Sequence, residues 1–117
     1  MNSEALAEKA AEFMFEKKGF DVKILALKEV TTLTDYFVVC SADSDTQVRA
    51  IADHVEKSLK ENSIRVYGKE GYTSLNWVLL DYVDVVIHIF RKDVREFYNL
   101  ERLWADVPVR ELTDPVN

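Results

Sequence analysis

Residues Trp77 to Asp106 read WVLLDYVDVVIHIFRKDVREFYNLERLWAD, and this stretch decides the fold. Two apolar runs, Trp77–Leu80 and Val85–Phe90, flank the polar bridge Asp81-Tyr82-Val83-Asp84, which predicts a β-hairpin. Both runs are too apolar for strands with one face in water, so the hairpin is central in its sheet or covered by something. A helical tail follows. Asp93 and Glu96 have capping-box spacing, and Val94, Phe97, Leu100, Leu103 and Trp104 give short helical faces.

Upstream, Leu6, Ala10, Phe13 and Met14 fall at helical spacing. Lys17 and Lys18 suit the helix end, and Gly19 the left-handed cap. Asp21–Lys28 reads as a strand with Val22, Ile24 and Ala26 on one side and Lys23, Leu25 and Leu27 on the other. Asp35–Ser41 reads as an inner strand. Ser44 and Gln47 form a capping box, and Val48, Ile51, Ala52, Val55 and Leu59 then line one face of a helix that Asn62 ends. Ile64–Tyr67 predicts a short strand and Gly68–Gly71 a turn. Pro108 is expected to end compact order, leaving residues 1–110 as the domain and 111–117 as a polar tail. The order is α-β-β-α-β-β-β-α: a single-domain α/β fold with a five-stranded mixed sheet flanked by helices. A crossover through the helix at Ser44 would make its flanking strands parallel.

Composition narrows the function. The 117 residues are 48% hydrophobic, which suits one core, and 31% charged with a net charge of −6. That balance argues against wrapping nucleic acid and favours a basic protein partner. No run approaches membrane-spanning length and the N-terminus lacks a signal-peptide basic region. The lone Cys40 sits in an apolar strand, consistent with a reducing, cytoplasmic setting.

Asp81, Asp84 and His88 are the one cluster resembling a metal or acid–base site. A metal-dependent nucleotidyl-transfer enzyme built on them is the rival reading, but phosphate-cradling glycines and convergent carboxylates are missing. Turn chemistry explains the two acids, and a hydrogen-bonded, half-buried ring explains His88. No nucleophile motif, zinc motif or dinucleotide fingerprint is present, so neither catalysis, metal nor cofactor is expected. The aromatics suit protein contacts better. If Val78 and Leu80 face the core, Trp77 and Leu79 form an apolar patch; the alternative is a sheet buried on both sides. Tyr82 is expected to be exposed with its hydroxyl available, and Tyr98 and Trp104 to pack the terminal helix onto the sheet. Asp81, Asp84, Glu101 and Asp106 would ring the patch with negative charge.

Several segments then resemble one family: Asp35-Tyr36-Phe37-Val38-Val39-Cys40-Ser41; Ser44-x-x-Gln47-Val48-x-Ala50-Ile51-Ala52; Trp77-x-Leu79-x-Asp81-Tyr82-x-Asp84-Val85-Val86-x-His88-x-Phe90; and Arg95-x-Phe97-Tyr98-x-Leu100-Glu101-x-Leu103-Trp104-x-Asp106. In order and spacing these are similar to the ribosomal silencing factors, also called the Iojap or YbeB family. The resemblance implies a non-enzymatic protein that binds the large ribosomal subunit through its fourteenth-numbered protein, blocks subunit joining and lowers translation in starvation or stationary phase. It also implies a nucleotidyltransferase-like fold without the working carboxylate pair, and a homodimer when free. Partner contacts would fall to Trp77, Leu79, Asp81, Tyr82, Asp84, His88, Tyr98, Glu101 and Trp104. The family usually carries Gly where this chain has Ala42, Val83 and Ala105; at Val83 a β-branched residue resists positive φ, so the turn is expected to differ.

Overall fold

The computed structural model describes residues 1–114. In chain order the elements are α1 (Ser3–Glu16), β1 (Phe20–Ala26), β2 (Tyr36–Ala42), α2 (Asp45–Glu61), β3 (Gly68–Glu70), β4 (Trp77–Asp81), β5 (Val85–Arg91), α3 (Lys92–Tyr98), α4 (Leu100–Leu103) and β6 (Val109–Leu112). The strands form one mixed sheet in the order β3-β4-β5-β2-β1-β6. The predicted hairpin is present: β4 and β5 are antiparallel, with Leu79 opposite His88. β5 in turn lies parallel to β2, with Val39 opposite His88.

The sheet has six strands, not five. The extra strand is β6, antiparallel to β1 from Leu25↔Val109 to Val22↔Leu112. Pro108 does not end the ordered chain, because it needs no donor there: its carbonyl accepts from the Ala26 amide at 2.9 Å and starts the pairing. β6 crosses the boundary expected at residue 110. Its residues Val109 to Glu111 are exposed, so it carries little hydrophobic signal. The last part of the expected tail, 115–117, lies outside the described residues.

The short third strand also moves. It falls on Gly68–Glu70 rather than Ile64–Tyr67, because the exit of α2 takes up the earlier residues. The Ile64 amide donates to the Leu59 carbonyl at 2.9 Å, and Ile64 and Val66 plug the core edge. Gly71 then turns the chain at φ 93°, where an added Cβ would sit 1.9 Å from the Trp77 carbonyl oxygen. β3 runs in the same sense as β2 but is not its neighbour, since β4 and β5 lie between them.

Helix ends follow the sequence in part. Asn2 caps α1 by accepting from the Ala5 amide at 2.7 Å. Lys18, not Gly19, takes the positive φ at the other end. Gly19 is there for close approach, since a Cβ would lie 3.0 Å from the Met14 carbonyl oxygen. Ser44 caps α2 as expected, accepting from the Gln47 amide at 3.2 Å. The Gln47 side chain does not reach back to Ser44; it accepts from the Asp43 amide and donates to the Lys17 and Lys18 carbonyls, tying the end of α1 to the start of α2. In α3 the capping box is absent: Arg91 occupies the cap without a side-chain bond, and Asp93 instead holds the Arg91 guanidinium at 2.7 and 3.1 Å.

Two layers result. α1 and α2 cover one face of the sheet, and Val48, Ile51, Ala52, Val55 and Leu59 meet Val38, Cys40, Val78, Leu80, Ile87 and Ile89 with no solvent exposure. Cys40 is buried there, and desolvation, only partly countered by Arg95, pushes its thiol up to about 12. It is therefore an unreactive core residue. The opposite face has a smaller cluster around Leu25, Leu27, Val39 and Phe90, covered by Leu100 and Val107.

Candidate functional site

The alternation along β4 decides between the two readings of the patch. Val78 and Leu80 are fully buried toward the helices, while Trp77, Leu79 and Asp81, pointing the other way, are half-buried. The seven-residue α3 and the four-residue α4 cover only part of that second face. The rest is an apolar strip of Trp77, Leu79, Phe37, Val86, His88 and Trp104. Trp77 stacks on Phe90 at 4.7 Å and meets Tyr98 at 5.3 Å, and Phe37 stands edge-on to His88 at 4.5 Å and to Trp104 at 5.9 Å. A groove of about 290 Å³ is lined by Leu79, Val86, His88 and Trp104 together with Thr31, Leu33 and Thr34 of the loop before β2, with Glu70 and Asp81 also in its lining.

His88 lies in this wall, 3% exposed rather than half-buried. Its Nδ1 accepts from Trp77 Nε1 at 3.1 Å, which puts the ring proton on Nε2. Nε2 has no partner. Burial lowers the pKa from 6.5 to about 4, so the ring is neutral near pH 7.

The two acids of the hairpin belong to its turn. Asp81 Oδ1 accepts from the Val83 amide at 2.8 Å, and the Asp84 carbonyl accepts from the Asp35 and Tyr36 amides at 2.9 and 3.2 Å. Val83 takes a φ of 72°, the conformation a glycine would adopt freely; Ala42 and Ala105 do not have positive φ. Among the described residues no group of three or more His, Cys, Asp or Glu side chains is placed to hold a metal ion.

Three expected contact residues sit differently from the sequence reading. Tyr82 is not exposed: at 7% exposure it joins the helix-side core, and its hydroxyl lacks a partner among the described residues. Desolvation, then the charges of Glu56 and Tyr72, push that hydroxyl's pKa up. Glu101 is not a free rim charge. Its carboxylate accepts from Arg95 Nε and Nη2 at 3.3 and 3.2 Å and lies 3.5 Å from Lys23. Burial would raise its pKa, but the Arg95 hydrogen bonds and the charges of Arg95 and Lys23 outweigh burial and hold it below the usual range. The buried Arg95 also donates to Ser41 Oγ at 2.9 Å and to the Asp21 carbonyl at 2.6 Å, so this cluster clamps α3 and α4 to β1 and β2. Tyr98 touches Trp77 yet is 54% exposed, so it only half packs the terminal helices; Trp104 packs on Phe37.

Phe37 and Leu33 are site residues that the sequence reading did not single out, and Phe97 and Leu103, at 82% and 76% exposure, are solvent-facing rather than packed. The alternation of Phe37 and Val39 against Val38 and Cys40 could have placed Phe37 on this face. Nothing in the sequence pattern marks Leu33.

Comparison with known proteins gives a consistent result. The family model described as "Ribosomal silencing factor during starvation" matches residues 1–117. A Bacillus subtilis protein named ribosomal silencing factor RsfS is 39% identical over 117 residues, covering 100% of this chain and 99% of its own length. The crystal structure of a Chromobacterium violaceum protein superposes with a TM-score of 0.87 at 33% identity, covering 100% of this chain and 95% of that one. That of a Bacillus halodurans protein superposes at 0.81 with 40% identity, covering 95% of this chain and 100% of that one.

Proposed function

Because the chain belongs to the ribosomal silencing factor family, we propose that it docks on the large ribosomal subunit through that subunit's fourteenth-numbered protein and blocks joining to the small subunit. Translation falls as a result, in starvation or stationary phase, in the cytoplasm. The fold is read as nucleotidyltransferase-like without a working carboxylate pair, and the protein as a homodimer when free.

The observation that supports this reading is the half-open strip of Trp77, Leu79, Phe37 and Trp104 on an otherwise well-covered sheet. Large aromatics with a polar border are the usual anchors of protein interfaces. The border here is acidic at Glu70 and Asp81, which suits a basic ribosomal protein. Silencing then needs no chemistry. A body of 35 × 34 × 31 Å held at the subunit interface occupies the space that the small subunit must enter.

The test is reassociation of purified ribosomal subunits followed by light scattering. Added protein is expected to slow and reduce the signal, and to co-sediment with large subunits alone. Leu79→Arg, a change on the open face, is expected to abolish both effects while the protein stays folded. Equal reassociation with and without the protein would overturn the reading.

A further inference from the structure

Four buried polar side-chain atoms have no hydrogen-bond partner among the described residues, and two of them, His88 Nε2 and Thr34 Oγ1, belong to residues that line the same apolar groove. A buried donor without an acceptor costs about 1–3 kcal/mol. Neither of these two atoms takes part in a contact already described. His88 supports Trp77 through Nδ1, which leaves Nε2–H over; Thr34 is 7% exposed at the end of the loop before β2.

We propose that this groove receives one apolar side chain from a basic segment of a protein partner, and that a carbonyl oxygen of the same segment accepts from His88 Nε2. This rests on the docking reading above and names the chemistry of its central contact. The groove volume of about 290 Å³ suits a single inserted side chain rather than a helix or strand. Of its other lining residues, Leu79, Phe37, Val86 and Trp104 are apolar. Glu70 and Asp81 lie at the same groove, so a Lys or Arg beside the inserted residue completes the fit. Those carboxylates and the net charge of −6 oppose a nucleic-acid occupant. His88 Nε2 is shut from water in the free protein, so the incoming carbonyl reaches it only as the groove lining yields. Movements of that size are ordinary on binding. Binding then supplies the acceptor that the free protein lacks, which gives selectivity for a carbonyl over an apolar group of the same shape.

Two substitutions separate this from a general packing role. Thr34→Val keeps the shape and removes one orphaned hydroxyl. His88→Asn leaves an amide oxygen near the Nδ1 position to accept from Trp77 and removes the Nε2 donor. Affinity for purified large subunits is measured by co-sedimentation, with thermal melting of each free variant and with extracted large-subunit RNA as a second probe. His88→Asn is expected to weaken binding tenfold or more, and Thr34→Val about threefold, while Thr34→Val melts higher than the parent. Glu70→Gln is expected to weaken binding less than His88→Asn and to reduce its salt dependence. If the parent and Thr34→Val and His88→Asn bind equally well, with Leu79→Arg inactive, the groove assignment falls and the docking face stands. If extracted RNA binds with the same dependence on His88, the protein-segment assignment falls. If the parent does not bind large subunits at all, both readings fall.

Discussion

On the face covered by α1 and α2, Leu80, Ile87 and Ile89 are completely shut off from solvent; one residue along the same strands, Leu79 and Val86 are half-open, and His88 has a nitrogen unpaired among the described residues. Neighbouring residues of one hairpin thus belong to two different environments. Two long amphipathic helices bury a continuous apolar face, whereas seven- and four-residue helices cannot span the other. The first face holds the domain together. The second is left with apolar surface and a donor unpaired among the described residues, which lowers the stability of the free protein and, on the docking reading, leaves interaction free energy for a partner.

The sharpest way to break this contrast is to truncate adjacent leucines. Leu80→Ala is expected to cost about 3–5 kcal/mol and lower the melting temperature by on the order of 10 °C. Leu79→Ala is expected to cost about 1 kcal/mol, because half of that side chain is already in solvent, yet to weaken large-subunit binding more. Calorimetry and co-sedimentation on the pair decide it: similar melting losses would erase the distinction between the faces.

Acid tests the second face through His88. The folded state resists protonating His88 until pH falls to about 4, while the unfolded chain takes the proton near 6.5. The His88 contribution is therefore complete above pH 6.5 and is lost as pH falls from 6.5 to 4, by on the order of 3 kcal/mol at about 1.4 kcal/mol per pH unit. The Trp77 bond to Nδ1 holds the ring nitrogen as an acceptor, and Glu70 and Asp81 are the titratable groups that share its groove. Urea unfolding at pH 7.5 and 4.5 should show the loss in the parent and a smaller one in His88→Asn.

Two smaller effects refine the picture. Glu101→Gln leaves Arg95 buried against a neutral partner and is expected to cost about 1–2 kcal/mol in urea unfolding, placing Glu101 with the clamp rather than with the docking surface. Val83→Gly relieves a β-branched residue at φ 72°. It is expected to stabilise by about 0.5–1 kcal/mol, the αL strain partly offset by glycine's greater unfolded freedom; an unchanged melting temperature would mean that the Asp81 bond to the Val83 amide already compensates.

Much of this was legible in sequence because it is written in periodicity. The α2 face, the inner strands and the hairpin repeat at 3.6 or 2 residues and carry their own signal. β6 was not legible because three of its four residues are exposed and its pairing is to a strand more than eighty residues earlier. Ile64 and Val66 imitated a strand because a helix exit can bury apolar residues in the same spacing. At the candidate site, the sheet face that carries Trp77 and Leu79 followed from alternation once the core side was fixed. Tyr82 did not, since a residue beside a tight turn can swing to either face. The pairing of Glu101 with Arg95 and Lys23 depends on three separate segments meeting, which local pattern does not encode.

The position of β6 has a practical consequence. By lying along β1 it occupies the outward amides and carbonyls from Val22 to Leu25, which would otherwise form the rim of a broad apolar sheet. The opposite rim needs no such guard, being only the three residues Gly68–Glu70, two of them charged. A version shortened to end before Val109 would offer β1 as a template for a foreign strand, and such a version should precipitate or form chains of molecules stitched rim to rim.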